Sequence, residues 1–160
     1  MDWLDKIITP RVGVVAIVES SNREKLLLIR RKFPPHGFAF PGGFVELGET
    51  VAQTAIREVE EETGIHIYTN DEAGLLLVTS ATNLDPRAQF VVIAVVFKEL
   101  FDRQPTPGDD ALETFWTEWR TLRQTPFWSE LTERSKQEYN EYCRWRTFAK
   151  DSEWRLSKLA

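Results

Sequence analysis

GFVELGETVAQTAIREVEEETGI, residues Gly43 to Ile65, is the stretch from which the rest of this chain is read. Thr50 with Gln53 three residues on is a capping-box pattern, and Gly64 stands where a helix C-terminus takes a left-handed residue. The pair predicts a helix over Val51 to Thr63. At about 100° per residue, Ala52, Ile56, Val59 and Thr63 group on one side of it. Glu58, Glu61 and Glu62, at i, i+3 and i+4, group on nearly the opposite side. Like charges that close repel each other. Spacing alone leaves two readings open: a solvated acidic face, or a face whose carboxylate oxygens take a hard divalent cation.

Outward from the helix, the pattern alternates between strands and loops. Arg11 to Glu19 (RVGVVAIVE) and Lys25 to Arg31 (KLLLIRR) read as strands around the Ser20-Ser21-Asn22 turn, a hairpin. Phe33 to Gly43 (FPPHGFAFPGG) holds three prolines and three glycines and reads as a shaped loop, with a short strand at Phe38 to Phe40. After the helix, Leu75 to Ser80 and Gln89 to Leu100 read as strands joined by the polar Thr82 to Arg87. The loop Phe101 to Asp110 leads to a last strand, Glu113 to Trp119. From about Ser129 to Lys150 the period becomes helical, with Leu131, Tyr139, Tyr142 and Trp145 on one stripe. Strands with one helix between them and another at the end predict an α/β sandwich around a mixed sheet.

The chain's 160 residues suit one domain, 1–160, with 127–160 as its C-terminal helical segment. The formal charge of -5 argues against a general nucleic-acid binder, which is normally basic. The single Cys143 excludes an intramolecular disulfide and a thiolate metal cluster. The start, MDWLDKIITP, is mixed and charged, without a signal-peptide pattern, and no apolar run approaches membrane-spanning length. These features predict a cytoplasmic protein that engages no membrane. The aromatic density beyond Phe127, with Trp128, Trp145 and Trp154, suits either packing on the chain's own sheet or a homodimer interface.

The full pattern of the acidic run narrows the chemistry. Gly43, five residues, Glu49, seven residues, Arg57-Glu58-Val59, one residue, Glu61-Glu62, one residue and Gly64-Ile65 resembles the complete box of the Nudix hydrolases, nine specified positions in 23 residues. The resemblance implies a Nudix-like α/β/α sandwich around a mixed β-sheet. It implies hydrolysis of a nucleoside diphosphate linked to another group, with Mg²⁺ or Mn²⁺ as cofactor. It makes Glu58, Glu61 and Glu62 the metal ligands, joined by a backbone carbonyl of Gly42 or Gly43. Arg57, held by Glu49, orients the carboxylates. The general base stays open between a box glutamate, Glu58 or Glu62, and a loop acid, Asp85, Asp109, Asp110 or Glu113.

Substrate choice lies outside the box. FAFPGGFVELGET, Asn83-Leu84-Asp85-Pro86-Arg87 and Gly108-Asp109-Asp110-Ala111 resemble the short ADP-ribose pyrophosphatases of the family, which yield AMP and ribose 5-phosphate. Ala81 departs from that group, which tends to carry proline there. Arg87 is a candidate contact to phosphate or carboxylate, for which a guanidinium fork suits. Arg30 and Lys32 share a face by strand alternation, with Arg31 opposite, and are placed near substrate phosphates by the resemblance. Phe33, Phe38 and Phe40 either stack on a base or pack in the core, and His36 lies in the same loop. A nucleotide sugar or an oxidised nucleoside triphosphate is the alternative substrate. A non-catalytic ADP-ribose sensor is the alternative class. The acidic balance disfavours RNA 5′ ends as substrate.

Overall fold

The structure is a computed structural model that describes residues 10–68, 74–81, 89–99, 102–108 and 110–148. In chain order the elements are β1 (Arg11–Glu19), β2 (Lys25–Arg31), β3 (Phe38–Ala39), β4 (Gly42–Phe44), α1 (Val51–Thr63), β5 (Gly74–Ala81), β6 (Phe90–Lys98) and β7 (Ala111–Glu118). A 3₁₀ helix (Trp119–Gln124), a single turn α2 (Phe127–Glu130) and α3 (Glu133–Phe148) follow.

The sheet runs β3-β2-β1-β6-β5, with β4 beside β1 and β7 beside β2. β1 and β6 are parallel from Arg11↔Phe90 to Glu19↔Lys98, and the other pairs are antiparallel, so the sheet is mixed as expected. The expected hairpin is present only at its turn. β1 and β2 meet at Glu19↔Leu26 and then part, because residues 38–44 occupy the rest of the ladder between them. β3 pairs with β2 and β4 pairs with β1, bridged where Ala16 N–H donates to the Pro41 carbonyl at 2.8 Å. The loop before the box is thereby set into the sheet.

Alternation along β1 feeds a core on each face. Val14, Ala16 and Val18 join Leu27, Val95, Phe97 and the α1 residues Ala55 and Val59. Ile17 joins Leu26, Leu28, Phe38, Leu131, Tyr139 and Tyr142 under α3. Each fully buried aliphatic or aromatic side chain contributes roughly 1.5–3 kcal/mol. A helix thus covers each face of the sheet, the layered arrangement that the strand and helix order predicts.

The C-terminal segment departs from one continuous helix. Leu131 adopts extended backbone and bridges Phe38, and Thr132 N–H donates to the Phe38 carbonyl at 3.0 Å. The Thr132 hydroxyl then accepts the Ser135 N–H at 3.3 Å and starts α3 afresh. The aromatic stripe packs inward. Tyr139 O–H donates to the Trp119 carbonyl and Tyr142 O–H to Glu19, each at 2.6 Å. Trp154 lies outside the described residues. Among the described residues, no helix is long and apolar enough to cross a membrane.

Candidate active site

α1 forms where its sequence predicts. Thr50 and Gln53 complete the capping box, and Gly64 ends the helix at φ 68°. The C-terminal carbonyls do not go unpaired: Thr106 N–H reaches Thr63 O at 2.8 Å and Gly108 N–H reaches Glu62 O at 3.2 Å. That loop, 102–108, carries the chain on to Asp110.

The acidic side of α1 turns toward β4 rather than into open solvent. The Arg57 guanidinium grips Glu49 with both arms, Nε to Oε1 at 2.6 Å and Nη2 to Oε2 at 3.0 Å. It also donates to Phe44 O at 3.0 Å, to Glu58 Oε1 at 2.7 Å and to Glu61 Oε2 at 3.1 Å. Thr54 O–H and Glu46 N–H complete the Glu49 shell. The Arg57 hydrogen bonds hold the Glu49 carboxyl down at about 2, and Glu49 in turn raises the Arg57 pKa. This lock fixes the backbone turn before the helix to the helix itself.

The three box glutamates are not equivalent. Glu62 is buried and accepts the Gly42 N–H at 2.9 Å. Burial pushes its carboxyl up to about 8, with the charges of Glu58 and Asp110 adding to the rise and that of Arg31 opposing it. Burial also raises Glu58, against the pull of Arg57. Glu61 stands at the rim, its side chain 42% exposed. Glycines let the helix approach this closely. A Cβ on Gly43 would lie 2.1 Å from Glu58 Oε1, and one on Gly42 would lie 2.3 Å from the Val14 carbonyl.

Glu58 and Glu62 border a cavity of about 710 Å³, together with Gly42, Gly43, Arg31 and Asp110. Val15, Phe40, Phe44 and Val92 supply apolar wall, and the first turns of α3 close the cavity. The volume is that of a small-molecule site. Among the described residues, no three His, Cys, Asp or Glu side chains are gathered as a ready cation cage. Arg57 holds Glu58 and Glu61 instead. The donor chemistry nonetheless suits a hard divalent cation: two carboxyls whose charged forms are penalised by burial, beside close-lying glycine backbone.

The other expected residues divide. Arg31, not Arg30 or Lys32, borders the cavity. Alternation along β2 holds, but the cavity lies on the opposite face, and the ladder with β7 shifts register between Arg30 and Arg31. Arg30 faces Glu113 at 3.3 Å and Glu130 at 3.6 Å, with its guanidinium over the Phe38 ring. Phe38 is fully buried against Phe115 and Phe127, so its ring is core. Phe40 is core with one side to the cavity, while Phe33 is 51% exposed at its edge beside His36. Of the loop acids, Asp110 borders the cavity and Glu113 pairs with Arg30. Asp85, Arg87 and Asp109 lie outside the described residues. The reading from sequence did not include Arg31 as a cavity residue or the α3 residues Arg134, Ser135 and Glu138. Nothing in their local pattern marks them: Arg31 borders the cavity by the face that β2 turns to it, and the α3 residues follow the Leu131 and Thr132 contacts to Phe38 that set where α3 begins.

Comparisons with known proteins bear on the family and the fold. The model of the NUDIX domain matches residues 9–145. An ADP-ribose pyrophosphatase of Methanocaldococcus jannaschii is 38% identical over 140 residues, 86% of this chain and 75% of that protein. The structure of a bifunctional NMN adenylyltransferase/ADP ribose pyrophosphatase from Francisella tularensis, complexed with AMP and a Mn ion, superposes with a TM-score of 0.75. It is 24% identical, over 89% of this chain but 44% of that one. The NUDIX domain of Shewanella oneidensis NrtR, complexed with ADP ribose, gives a TM-score of 0.73 at 18% identity, over 90% of this chain and 92% of that one. At those identities the two structures bear on the fold alone.

Proposed function

Because this chain belongs to the NUDIX domain family, we propose that it hydrolyses the pyrophosphate bond of a nucleoside diphosphate derivative, with ADP-ribose, cleaved to AMP and ribose 5-phosphate, as the leading substrate. The observation that carries this reading is the Arg57 lock. It holds Glu58 beside the buried Glu62 at the border of a ligand-sized cavity. The activity named for the Methanocaldococcus relative supports ADP-ribose over other derivatives.

Glu58 and Glu62, with the backbone at Gly42 and Gly43 and with Glu61 at the rim, would hold Mg²⁺ or Mn²⁺. Bound there, the cation supplies the charge neutralisation that a pyrophosphate under attack by water requires. Arg31 orients phosphate oxygens from the facing strand. A carboxylate that borders the cavity, Glu58, Glu62 or Asp110, takes the proton of the attacking water. The same reading places the protein in the cytoplasm, as an enzyme that can act as a homodimer.

The test is a substrate panel with purified protein and Mg²⁺ or Mn²⁺: ADP-ribose, nucleotide sugars, oxidised nucleoside triphosphates and other dinucleotides, with products resolved by chromatography. AMP and ribose 5-phosphate from ADP-ribose at the highest kcat/KM is the expected result. No product from any nucleoside diphosphate compound would end the enzyme reading and leave the ADP-ribose sensor in its place.

A further inference from the structure

Gly13 is a glycine that the fold does not require. It lies inside β1 and pairs in regular register with Phe44 of β4 on one side and Val92 of β6 on the other, so no bulge calls for it. Its backbone is not left-handed, unlike that of Gly37, Gly48 and Gly64. A Cβ on Gly13 would meet the Gly43 carbonyl and a Val92 methyl at 3.7 Å and the Phe44 ring at 4.0 Å, which are ordinary contact distances. Gly42 is the contrast, since a Cβ there would collide with the Val14 carbonyl. Glycine weakens a strand interior. Without a bulge or a close backbone to explain it, such a glycine marks a place where a ligand approaches.

The room above Gly13 belongs to the cavity, which Gly13 borders with Val15, Phe44, Phe90 and Val92. Alternation decides which way it opens. Val14 and its partner Gly43 turn toward α1, where Val14 packs with Ala55 and Val59 and Gly43 faces Glu58. Gly13 and its partner Phe44 stand one ladder step away and turn to the other face, as do Val15 and Ile17 in the cluster under α3. A group lying over Gly13 is therefore close along the ladder to the box glutamates but turned away from them. It meets a phenyl ring, a valine methyl and bare backbone.

We propose that Gly13 is a specificity-determining residue, whose missing side chain leaves room for the nucleobase of the substrate to lie against β1, beside Phe44 and Val92. The π-face of a base needs no hydrogen bond and stacks on aromatic or apolar surface. A sugar or phosphate in the same place would leave oxygens unpaired. The Phe44 ring is held in position for this contact, tilted on Phe90 with 5.3 Å between centroids and under the Arg11 guanidinium at 3.6 Å. The assignment rests on the proposed nucleoside diphosphate substrate, whose pyrophosphate stays with Glu58 and Glu62.

Binding without turnover separates the two proposals. Calorimetric titrations in chelator-treated buffer would compare AMP with ribose 5-phosphate, which keeps a sugar and a phosphate but carries no base. The wild type should bind AMP more tightly by roughly tenfold, the worth of one stacked base. Gly13→Leu, which fills the room, should bring AMP to the level of ribose 5-phosphate and leave ribose 5-phosphate unchanged. Gly13→Ala should weaken AMP to a lesser degree and melt no lower than the wild type, because its methyl makes only ordinary contacts. Should Gly13→Leu fail to fold, Gly13→Ala carries the test alone. Equal binding of the two ligands by the wild type overturns the assignment, as does AMP binding that neither variant changes. An equal loss of ribose 5-phosphate binding also overturns it, and so does a lower melting temperature in Gly13→Ala, which would make the glycine a requirement of the fold. Absence of ADP-ribose hydrolysis in a wild type whose AMP binding depends on Gly13 would count against the proposed activity alone.

Discussion

Adjacent glycines at positions 42 and 43 do different work, and substitution separates them. In Gly43→Ala the new methyl meets the Glu58 carboxyl, a side chain that can swing aside. The expected outcome is a near-normal melting temperature with kcat down about 100-fold, the effect of displacing a catalytic group by about 1 Å. In Gly42→Ala the methyl meets the Val14 carbonyl in β1, which cannot move without the sheet. Denaturant titration should show a stability loss of about 1–3 kcal/mol. Glu62→Gln keeps an acceptor for the Gly42 N–H while removing a charge that burial disfavours. It should lower kcat by orders of magnitude at unchanged or raised stability, measured by steady-state kinetics and thermal melting. Near-normal turnover would take Glu62 out of the metal site. These residues were legible as a set from the box spacing. Their differences were not, because burial of Glu62 and exposure of Glu61 follow from how α1 sits on β4.

At the scale of elements, α1 was the most legible, since its start, end and both faces are written in local chemistry. Thr50→Ala removes half of the capping box and should cost about 1 kcal/mol in urea titration, with kcat little changed, because the cap touches no cavity residue. β1, β2, β5 and β6 were legible from apolar runs to within about two residues. β4 was not, because Gly42–Phe44 has no strand pattern of its own and is a strand only by pairing with β1. The break between α2 and α3 escaped for the same reason. Leu131 leaves the helical path to bridge Phe38, a contact between residues distant in the chain. The face of β2 that meets the cavity was likewise a matter of packing. Alternation separates Arg30 and Lys32 from Arg31 but does not say which face is which.

Across the whole molecule, two buried carboxyls predict how stability depends on pH. Glu62 and Glu138 titrate at about 8 in the folded chain, against a reference value of 4.5. Between those values the folded chain holds protons that the unfolded chain has released. Their stabilising contribution is therefore full below about 4.5 and lost as pH rises through about 8. Thermal melts in chelator should show the melting temperature falling over that window, less steeply in Glu138→Gln. Glu49 acts oppositely. Held near 2, it stabilises above about 4.5, and that stability is lost as pH falls toward 2. Adding Mn²⁺ near pH 8 should raise the melting temperature of the wild type by mass action, and much less that of Glu62→Gln. The sequence by itself determined the family chemistry, the α1 helix with its capping and acidic faces, and the mixed α/β class, because each rests on short-range spacing that a linear pattern records. Only the tertiary structure decided which arginine meets the cavity, which glutamate is buried, and that α3 brings Glu138 to the cavity wall. Those depend on contacts between segments far apart in the chain, and burial, which sets the electrostatics of each carboxyl, exists only once those segments have met.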